Sequence, residues 1–333
     1  MAVYTHIGAE AMAALIAEYD VGRLVSAKGI AEGVENSNWL VDTTGADGVG
    51  REGEGARFIL TVYEKRVHQE DLPFFLGLLD HLAAAGCPVP RTIHDRTGAT
   101  FRSFATADGA KALALIEFLP GISLDQPNPA QARAVGEALA AVHLAARDFA
   151  GQRPNALGPA GWRKLAEACD GRWGEIDQAL EALVHHQLAD LEAHWPTGLP
   201  TCAIHADLFP DNVLMRGDAV AGLIDFYFAC TDAMAYDLAV THAAWCFDPR
   251  GERFDPALSA ALLEGYRAVR PLEPAEQAAL PLLARGAALR FTLTRAYDWV
   301  NTPAGALVTR KDPLAFARRL AFYADPANAG VFG

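Results

Sequence analysis

The sequence predicts an α+β protein of two lobes, a small antiparallel-sheet lobe followed by a mainly helical one. Short apolar runs separated by glycine-rich turns fill residues 1–119, whereas long helical patterns rich in alanine and leucine fill residues 120–333. The change falls beside Pro120-Gly121, a dipeptide that favours turns. A chain of 333 residues also exceeds the length at which a single core usually stops growing. We therefore expect one domain over 1–119 and a second over 120–333.

The first lobe is predicted to be a sheet with two helices. Apolar residues recur at three- and four-residue steps from Glu70 to Ala85, which is typical of an amphipathic helix, and Gly86 follows as a stop signal. In chain order, the predicted elements are a helix over 9–19, strands over 24–30, 38–43 and 57–63, a helix over 70–85, and strands over 100–105 and 111–119.

The second lobe has helical patterns over 130–149, 176–195 and 282–300. Residues 201–228 depart from this character, because two apolar runs of strand type surround Gly217-Asp218 and polar residues cluster at their ends. Short strands that end in carboxylates, set among helices, predict a functional site in this segment.

Charge and cysteine content narrow the class of partner. Lys and Arg number 28 and Asp and Glu 41, which gives a formal charge of −13. A chain this acidic repels nucleic acid and anionic membranes, so we expect neither as a partner. The five cysteines form no CxxC pair, which favours reduced thiols and a cytoplasmic location. No signal peptide or membrane span is expected, and the oligomeric state is left open.

The predicted chemistry lies in the segment HADLFPDN, residues 205–212, and in Asp225, which ends the next apolar run. Mg²⁺ takes carboxylate and amide oxygens together with phosphate oxygens, so Asn212 and Asp225 are the predicted metal ligands. Asp207 is then free to orient and deprotonate a hydroxyl nucleophile while the metal neutralises charge on a nucleotide. His205 and Asp237 are predicted to support this loop, the first through backbone hydrogen bonds and the second from a helix N-terminus.

The spacing H-A-D-L-x-x-x-N matches the protein-kinase catalytic loop H-R-D-L-x-x-x-N, and Asp225-Phe226-Tyr227 stands where that loop is followed by D-F-G. Ala206 replaces the arginine that reads an activation-loop phosphate, which favours small-molecule over protein substrates. On these motifs the chain resembles the aminoglycoside phosphotransferase and choline kinase superfamily, and within it the bacterial homoserine kinases. The resemblance covers residues 28–38, 58–66, 205–214, 222–238 and 285–299.

The resemblance implies a bilobal protein-kinase-like fold that uses ATP and Mg²⁺. It implies transfer of phosphate from ATP to the hydroxyl of L-homoserine, giving O-phospho-L-homoserine on the pathway to threonine. Three alternatives stay open at this point: a kinase of another small alcohol (choline, ethanolamine, methylthioribose or an aminoglycoside), a catalytically inactive nucleotide-binding relative, and a metal hydrolase built from His205, Asp207 and Asp225.

Nucleotide contacts are expected from three places in the first lobe. In the kinase-like interpretation, a hairpin covers the phosphates with backbone N–H groups and short polar side chains. Thr61 stands where the third-strand lysine is expected, so Lys65 is the predicted substitute, with Arg66 as the alternative. The segment 116–119 is the predicted hinge, whose backbone would bind the adenine edge. The candidate residues are Gly29, Gly33, Asn36, Ser37 and Asn38 in the hairpin, Lys65 beyond the strand, and Glu117, Phe118 and Leu119 in the hinge.

Homoserine carries a carboxylate, so its site needs a fixed cation, and its ammonium needs an acid nearby. Arg290 and Arg295 lie among apolar residues of the late helix, where an arginine is costly unless it is paired. They are the candidates for the carboxylate, with an Arg295–Asp298 ion pair as the alternative explanation. Asp232 and Tyr227, which follow the metal aspartate, are further candidates for the acceptor site.

Overall fold

The computed structural model contains two compact units, Met1–Pro120 and Gly121–Gly333. All five cysteines are free thiols. In the described part of the chain, no helix is both long enough and apolar enough to cross a membrane. The structure describes residues 5–30, 36–45, 56–64, 67–106, 109–302 and 310–333.

The first unit is an antiparallel sheet with two helices in its described part. Its elements are α1 (Ala9–Ile16), β1 (Leu24–Ile30), β2 (Ser37–Thr43), β3 (Ala56–Val62), α2 (Leu72–Ala84), β4 (Thr92–Ile93), β5 (Arg102–Thr106) and β6 (Gly109–Glu117). The described strands pair in the order β1-β2-β3-β6-β4, and β5 also pairs with β6. Every one of these pairings is antiparallel.

The central strand β3 carries the core of this unit. Phe58, Leu60 and Val62 alternate along it and are fully buried, as expected when one face of a strand points inward. Met12 and Ile16 belong to the same hydrophobic cluster, so α1 packs against this face. Full burial of each such side chain contributes about 1.5–3 kcal/mol.

The second unit is mainly helical and contains two small two-stranded sheets in its described part, β7 with β10 and β8 with β9. Its elements are α3 (Pro129–Ala145), α4 (Pro159–Glu167), α5 (Leu180–His194), β7 (Thr201–Ile204), β8 (Val213–Arg216), β9 (Ala219–Leu223), β10 (Cys230–Ala233), α6 (Met234–Trp245), α7 (Pro256–Val269), α8 (Pro274–Asn301) and α9 (Leu314–Ala324). The strands therefore interrupt the helical region at the segment where the sequence predicts a site.

Differences from the predicted boundaries have local causes. The helix predicted over 70–85 begins at Leu72, because residues 69–71 form a 3₁₀ turn and Pro73 suits the first turn of the α-helix. The helix predicted from residue 282 begins earlier, at Pro274, where Glu273 and Glu276 form a capping box. Strand β1 has the predicted bounds, and the α+β class agrees with the prediction.

Candidate active site

The β8–β9 hairpin brings the two predicted metal ligands together. Its register pairs Val213 with Leu223. One step beyond the hairpin, the N–H of Ile224 donates to the carbonyl oxygen of Asn212 at 3.0 Å. At the open end of the hairpin, Asn212 is therefore bonded through its backbone to the residue that precedes Asp225.

His205 is buried and joins the catalytic loop to the strand end before Asp225. The N–H of Asp207 donates to Nδ1 of His205 at 3.2 Å, so Nε2 carries the proton and donates to the carbonyl oxygen of Ile224 at 3.0 Å. The Phe226 ring lies 4.4 Å from the imidazole, centroid to centroid, and burial lowers the pKa of His205. With both nitrogens engaged, His205 holds the loop and is not a metal ligand in this conformation.

Asp207 is half-buried, in surroundings that disfavour its charge. Burial raises the pKa of its carboxyl to about 8, the Arg290 guanidinium opposes the rise, and the Asp225 carboxylate adds to it. Oδ2 of Asp207 accepts from Nδ2 of Asn212 at 3.3 Å. Oδ1 has no hydrogen-bond partner among the described residues, so this oxygen is open to a hydroxyl proton.

Ala206, the residue before Asp207, has a left-handed backbone with φ 61° and is buried. Asp237, in the first turn of α6, accepts from the N–H of His205 at 2.8 Å and from the N–H of Ala206 at 2.7 Å. Burial pushes the pKa of Asp237 upward, but hydrogen bonds from His143 and from the His205 N–H hold it below its usual value. Because residue 206 is buried, the position suits a small side chain and not the long arginine that protein kinases have there.

Ala206 gives a first prediction, on stability. We expect Ala206→Gly to change the free energy of unfolding by less than about 1 kcal/mol. Relief of left-handed strain, roughly 1–2 kcal/mol, is offset by the entropy of unfolded glycine and by one lost buried methyl group. Ala206→Val should cost about 2 kcal/mol or more, because a β-branched side chain is forced into a packed, left-handed position. Urea unfolding measures both, and a valine variant as stable as wild type would contradict the left-handed assignment.

Asn212 and Asp225 offer a donor set that suits a divalent cation. Nδ2 of Asn212 donates to the carbonyl oxygen of Asp207 at 2.8 Å, which leaves the amide oxygen as an acceptor. Asp225 is exposed and has a left-handed backbone with φ 66°. One amide oxygen and one carboxylate are what Mg²⁺ typically takes from a protein when phosphate oxygens and waters supply the rest. The residues therefore fit a magnesium ion.

Arg290 lies behind the catalytic loop. It is 1% exposed, and its Nη1 donates to the carbonyl oxygen of Ala206. The guanidinium also lies 4.6 Å from the ring centroid of Phe291 and 5.6 Å from that of Phe228. We therefore revise its predicted role from contacting the acceptor carboxylate to holding the loop backbone.

Arg295 lies one and a half turns further along α8 and is half-buried. Burial lowers the pKa of its guanidinium to about 10, and the charge of Asp207 acts in the opposite direction. Its Nη1 donates to the carbonyl oxygen of Asp312 at 3.1 Å, and its guanidinium lies 4.5 Å from the ring centroid of Phe316. In the described part of the chain its partners are thus a carbonyl and a ring, rather than Asp298 as the ion-pair alternative requires. Neither of these two contacts is with a carboxylate.

The two remaining acceptor candidates lie directly beyond Asp225. Tyr227 is in the 3₁₀ turn that follows Asp225. Asp232, in β10, accepts from Nδ2 of Asn155 and from the N–H of Ala233, both at 2.7 Å. Both donors are neutral, so these two hydrogen bonds do not balance the negative charge of Asp232. A carboxylate in this state suits a nearby ammonium group.

Lys311 is a cation near Asp207 that the sequence did not point to. Its Nζ lies 5.7 Å from the Phe209 ring centroid and 3.8 Å from Oδ2 of Asp211. Its charge opposes the rise in the pKa of Asp207. Lys311 lies in a polar segment that matches no motif. Its position near the loop therefore depends on the fold and could not be predicted from the sequence.

In the first unit, several predicted phosphate contacts are engaged elsewhere. Asn36 and Ser37 are buried: Oδ1 of Asn36 accepts from the Glu64 N–H at 3.3 Å, and the Ser37 hydroxyl donates to Oε1 of Glu64 at 2.6 Å. The Thr61 hydroxyl donates to Oδ1 of Asn38 at 2.9 Å. We therefore revise Asn36 and Ser37 from phosphate contacts to anchors at the start of β2.

The glycine and lysine candidates have different outcomes. Gly29 lies within β1, one residue before its end, inside the strand predicted over 24–30. Gly33 and Lys65 lie outside the described residues and stay predictions. Lys111, which the sequence did not single out, forms an ion pair with Glu64 at 2.5 Å.

The predicted hinge follows β6. The Glu117 carboxylate accepts two hydrogen bonds from the Arg91 guanidinium at 3.1 Å, and the Glu117 N–H donates to the Arg91 carbonyl oxygen at 2.9 Å. The Glu117 N–H is therefore already used. Phe118, with the Arg57 guanidinium 5.4 Å from its ring centroid, and the half-buried Leu119 remain the hinge candidates for adenine.

Comparison with known proteins identifies the family of the chain. Residues 26–272, about three quarters of the chain, match the phosphotransferase enzyme family. The chain belongs to this family. Among its relatives, the homoserine kinase of Methylobacterium radiotolerans is 50% identical over 333 residues, covering 100% of this chain and 99% of that protein. The homoserine kinase of Gluconobacter oxydans is 50% identical over 331 residues, covering 98% and 100%. Membership confirms the prediction of a small-molecule kinase.

Solved structures of other phosphotransferases have the same fold. An amicoumacin kinase in complex with AMP-PNP and Ca²⁺ aligns with a TM-score of 0.68 at 15% identity, covering 94% of this chain and 92% of its own. A choline kinase from Cryptosporidium parvum aligns with a TM-score of 0.62 at 15% identity, covering 92% and 93%. These likenesses confirm the predicted protein-kinase-like fold.

Proposed function

We propose that the protein is a homoserine kinase, which transfers phosphate from ATP to the hydroxyl of L-homoserine and releases O-phospho-L-homoserine and ADP, a step toward threonine. The observation that carries this is the 50% identity, over essentially the whole of both chains, to relatives that bear that name. In this proposal, residues 1–119 bind the nucleotide and residues 120–333 hold the catalytic loop and the acceptor, and the enzyme acts in the cytoplasm.

Asp207 is the residue that orients the acceptor hydroxyl. As the hydroxyl oxygen bonds to the γ-phosphorus, the bond from that phosphorus to the ADP oxygen breaks, and the hydroxyl proton passes to the Asp207 carboxylate. Asn212 and Asp225 would hold Mg²⁺, which when bound neutralises charge on the phosphates. His205 and Asp237 keep the backbone of the loop in place for this step.

The acceptor is recognised by the two charged groups on its α-carbon. Arg295 supplies a cation for the α-carboxylate, supported by its half-burial and by direct contacts with a backbone carbonyl and an aromatic ring rather than with a carboxylate. Asp232, with Tyr227 beside the metal aspartate, receives the α-ammonium. Charge complementarity to both groups distinguishes an amino-acid alcohol from a simple alcohol.

Choline is disfavoured by the positions of the aromatic residues that could bind its cation. Trp245 is buried and its Nε1 donates to the carbonyl oxygen of Leu208 at 2.9 Å. Tyr236 is fully buried, with its ring 5.7 Å from that of Trp195. Neither ring lines an open cage of the type that quaternary ammonium ions require. The third aromatic candidate, Trp299, is half-buried, and the Arg310 guanidinium already lies 4.6 Å from its ring centroid.

A panel of acceptors tests the proposal, and this is our second prediction. With ATP and Mg²⁺, kcat/KM for L-homoserine should exceed that for choline, ethanolamine, methylthioribose and an aminoglycoside by at least about 100-fold. ADP release is the readout, and a chelator should abolish it until Mg²⁺ is restored. If the enzyme prefers another alcohol, that alcohol is the substrate instead of homoserine. ADP release without any acceptor would favour a hydrolase. No ADP release with any acceptor would favour the inactive relative.

A further inference from the structure

A line of buried polar side chains leads from the C-terminal helices to the catalytic loop. Arg270 donates through Nη2 to both carboxylate oxygens of Glu276, at 2.8 and 2.9 Å, and through Nη1 to the hydroxyl oxygen of Tyr266 at 3.1 Å. That hydroxyl lies 2.7 Å from Nδ1 of His143, and Nε2 of His143 lies 3.0 Å from Oδ2 of Asp237. All five residues are buried, four of them completely.

The hydrogen bonds in this line run in one direction. A guanidinium has only donors, so the Tyr266 oxygen accepts from Arg270 and gives its own proton to Nδ1 of His143. His143 in turn places Nε2 at 3.0 Å from Oδ2 of Asp237, where the Nε2–H donates to the carboxylate. Each partner fixes the next, and the last acceptor is the carboxylate that holds the N–H groups of His205 and Ala206.

Close helix packing makes the line possible. Gly136 of α3 faces α7, and a Cβ at this position would lie 2.2 Å from the carbonyl oxygen of Leu262 and 2.8 Å from the nitrogen of Tyr266. Only glycine lets the two backbones approach this far. The approach sets Tyr266 against His143, although 123 residues separate them in sequence.

We propose that His143, held by Tyr266 and Arg270, is a positioning residue for phosphoryl transfer: it fixes the Asp237 carboxylate, which fixes the left-handed Ala206 backbone that orients Asp207. The role rests on the proposed kinase function. It differs from a purely structural role because it predicts loss of turnover beyond any loss of stability.

The chain contains a matched control. His242 of α6 is also completely buried, with Nδ1 2.7 Å from the Tyr323 hydroxyl and Nε2 2.8 Å from the Ser259 hydroxyl. It has the same burial and the same kind of tyrosine partner as His143. Its second partner is a serine hydroxyl rather than a carboxylate that holds the catalytic loop, so His242→Leu reproduces the structural damage of His143→Leu without the link to the loop.

The test compares these variants by kcat, KM and melting temperature, and this is our third prediction. We expect His143→Leu to lower kcat about 30-fold with the KM values for ATP and homoserine within about threefold, and His242→Leu to lower kcat less than about threefold. His143→Gln, whose amide can still donate to Asp237, should recover at least about tenfold of the loss. Equal effects of the two leucine variants on kcat would reduce His143 to a structural residue.

A milder pair of variants tests the same hydrogen-bonded line if His143→Leu does not fold. Tyr266→Phe removes one oxygen from the line and should lower kcat about fivefold, whereas Tyr323→Phe should leave it within about twofold. Unchanged kcat in Tyr266→Phe would overturn the proposal.

Amide hydrogen exchange tests the line without relying on catalysis. Exchange at the N–H groups of His205 and Ala206 should accelerate at least about tenfold in the His143 or Tyr266 variants and not in their controls. If wild type shows no activity on homoserine, the proposed function fails while this measurement still decides the positioning role. Unaltered exchange at both groups would reject it.

Discussion

Replacing Asp207 by asparagine is expected to lower kcat for homoserine about 1,000-fold while the KM for ATP changes less than about threefold. Asparagine keeps the shape of the side chain but cannot take the hydroxyl proton.

The same residue affects how the stability of the protein depends on pH. Burial raises the pKa of the Asp207 carboxyl to about 8, from 3.8 as a free group. The folded state favours the protonated form, so wild type loses stability as pH rises from about 4 to 8, and the asparagine variant does not.

Steady-state ADP release and thermal unfolding at pH 8 measure these effects. The melting temperature of Asp207→Asn should be no lower than that of wild type, which excludes unfolding as the cause of lost activity. Asp211→Asn is the control, because Asp211 lies four residues further along the same loop with its side chain 66% exposed. It should retain kcat within about twofold. An Asp207 variant with more than a tenth of wild-type turnover would rule out the proposed role.

The parts of the site that sequence predicts are local in the chain. The segment from His205 to Asn212 and the aspartate after the next strand keep their spacing whatever surrounds them. A hairpin with the register Val213 to Leu223 is enough to bring Asn212 and Asp225 together. The fold class was predictable for a related reason, because the change from strand to helix patterns is visible within short windows.

The parts that sequence does not predict depend on the rotation of helices and on distant packing. Arg290 and Arg295 are five residues apart, which separates their side chains by about 140° around the helix axis. Sequence treats the two as equivalent, yet one is fixed to the Ala206 carbonyl and the other stays available. His143 reaches Asp237 across 94 residues, and no motif marks it. Asn36 and Ser37 are a third case, because both of their side chains form hydrogen bonds with the half-buried Glu64, which no motif marks.

The second large effect is expected when Arg295 is replaced, and it concerns recognition of the acceptor. We expect Arg295→Met to raise the KM for L-homoserine about 100-fold with the KM for ATP nearly unchanged, because a charge-assisted contact to a carboxylate contributes about 1.5–3 kcal/mol. Methionine keeps much of the side-chain volume and its contact with the Phe316 ring, so the change is mainly one of charge. The kcat at saturating homoserine should fall less than about fivefold, since the contact exists before the phosphate moves.

An acceptor without the carboxylate separates recognition from structural damage. L-homoserinol has a hydroxymethyl group in place of the carboxylate, so wild type should prefer homoserine to homoserinol by about 100-fold and Arg295→Met should show almost no preference. Arg310→Met is the control: Arg310 also stacks on an aromatic ring, 4.6 Å from the Trp299 centroid, but is exposed. It should keep the wild-type preference. If Arg295→Met keeps it as well, the carboxylate is bound by another cation, and Lys311 becomes the next residue to replace.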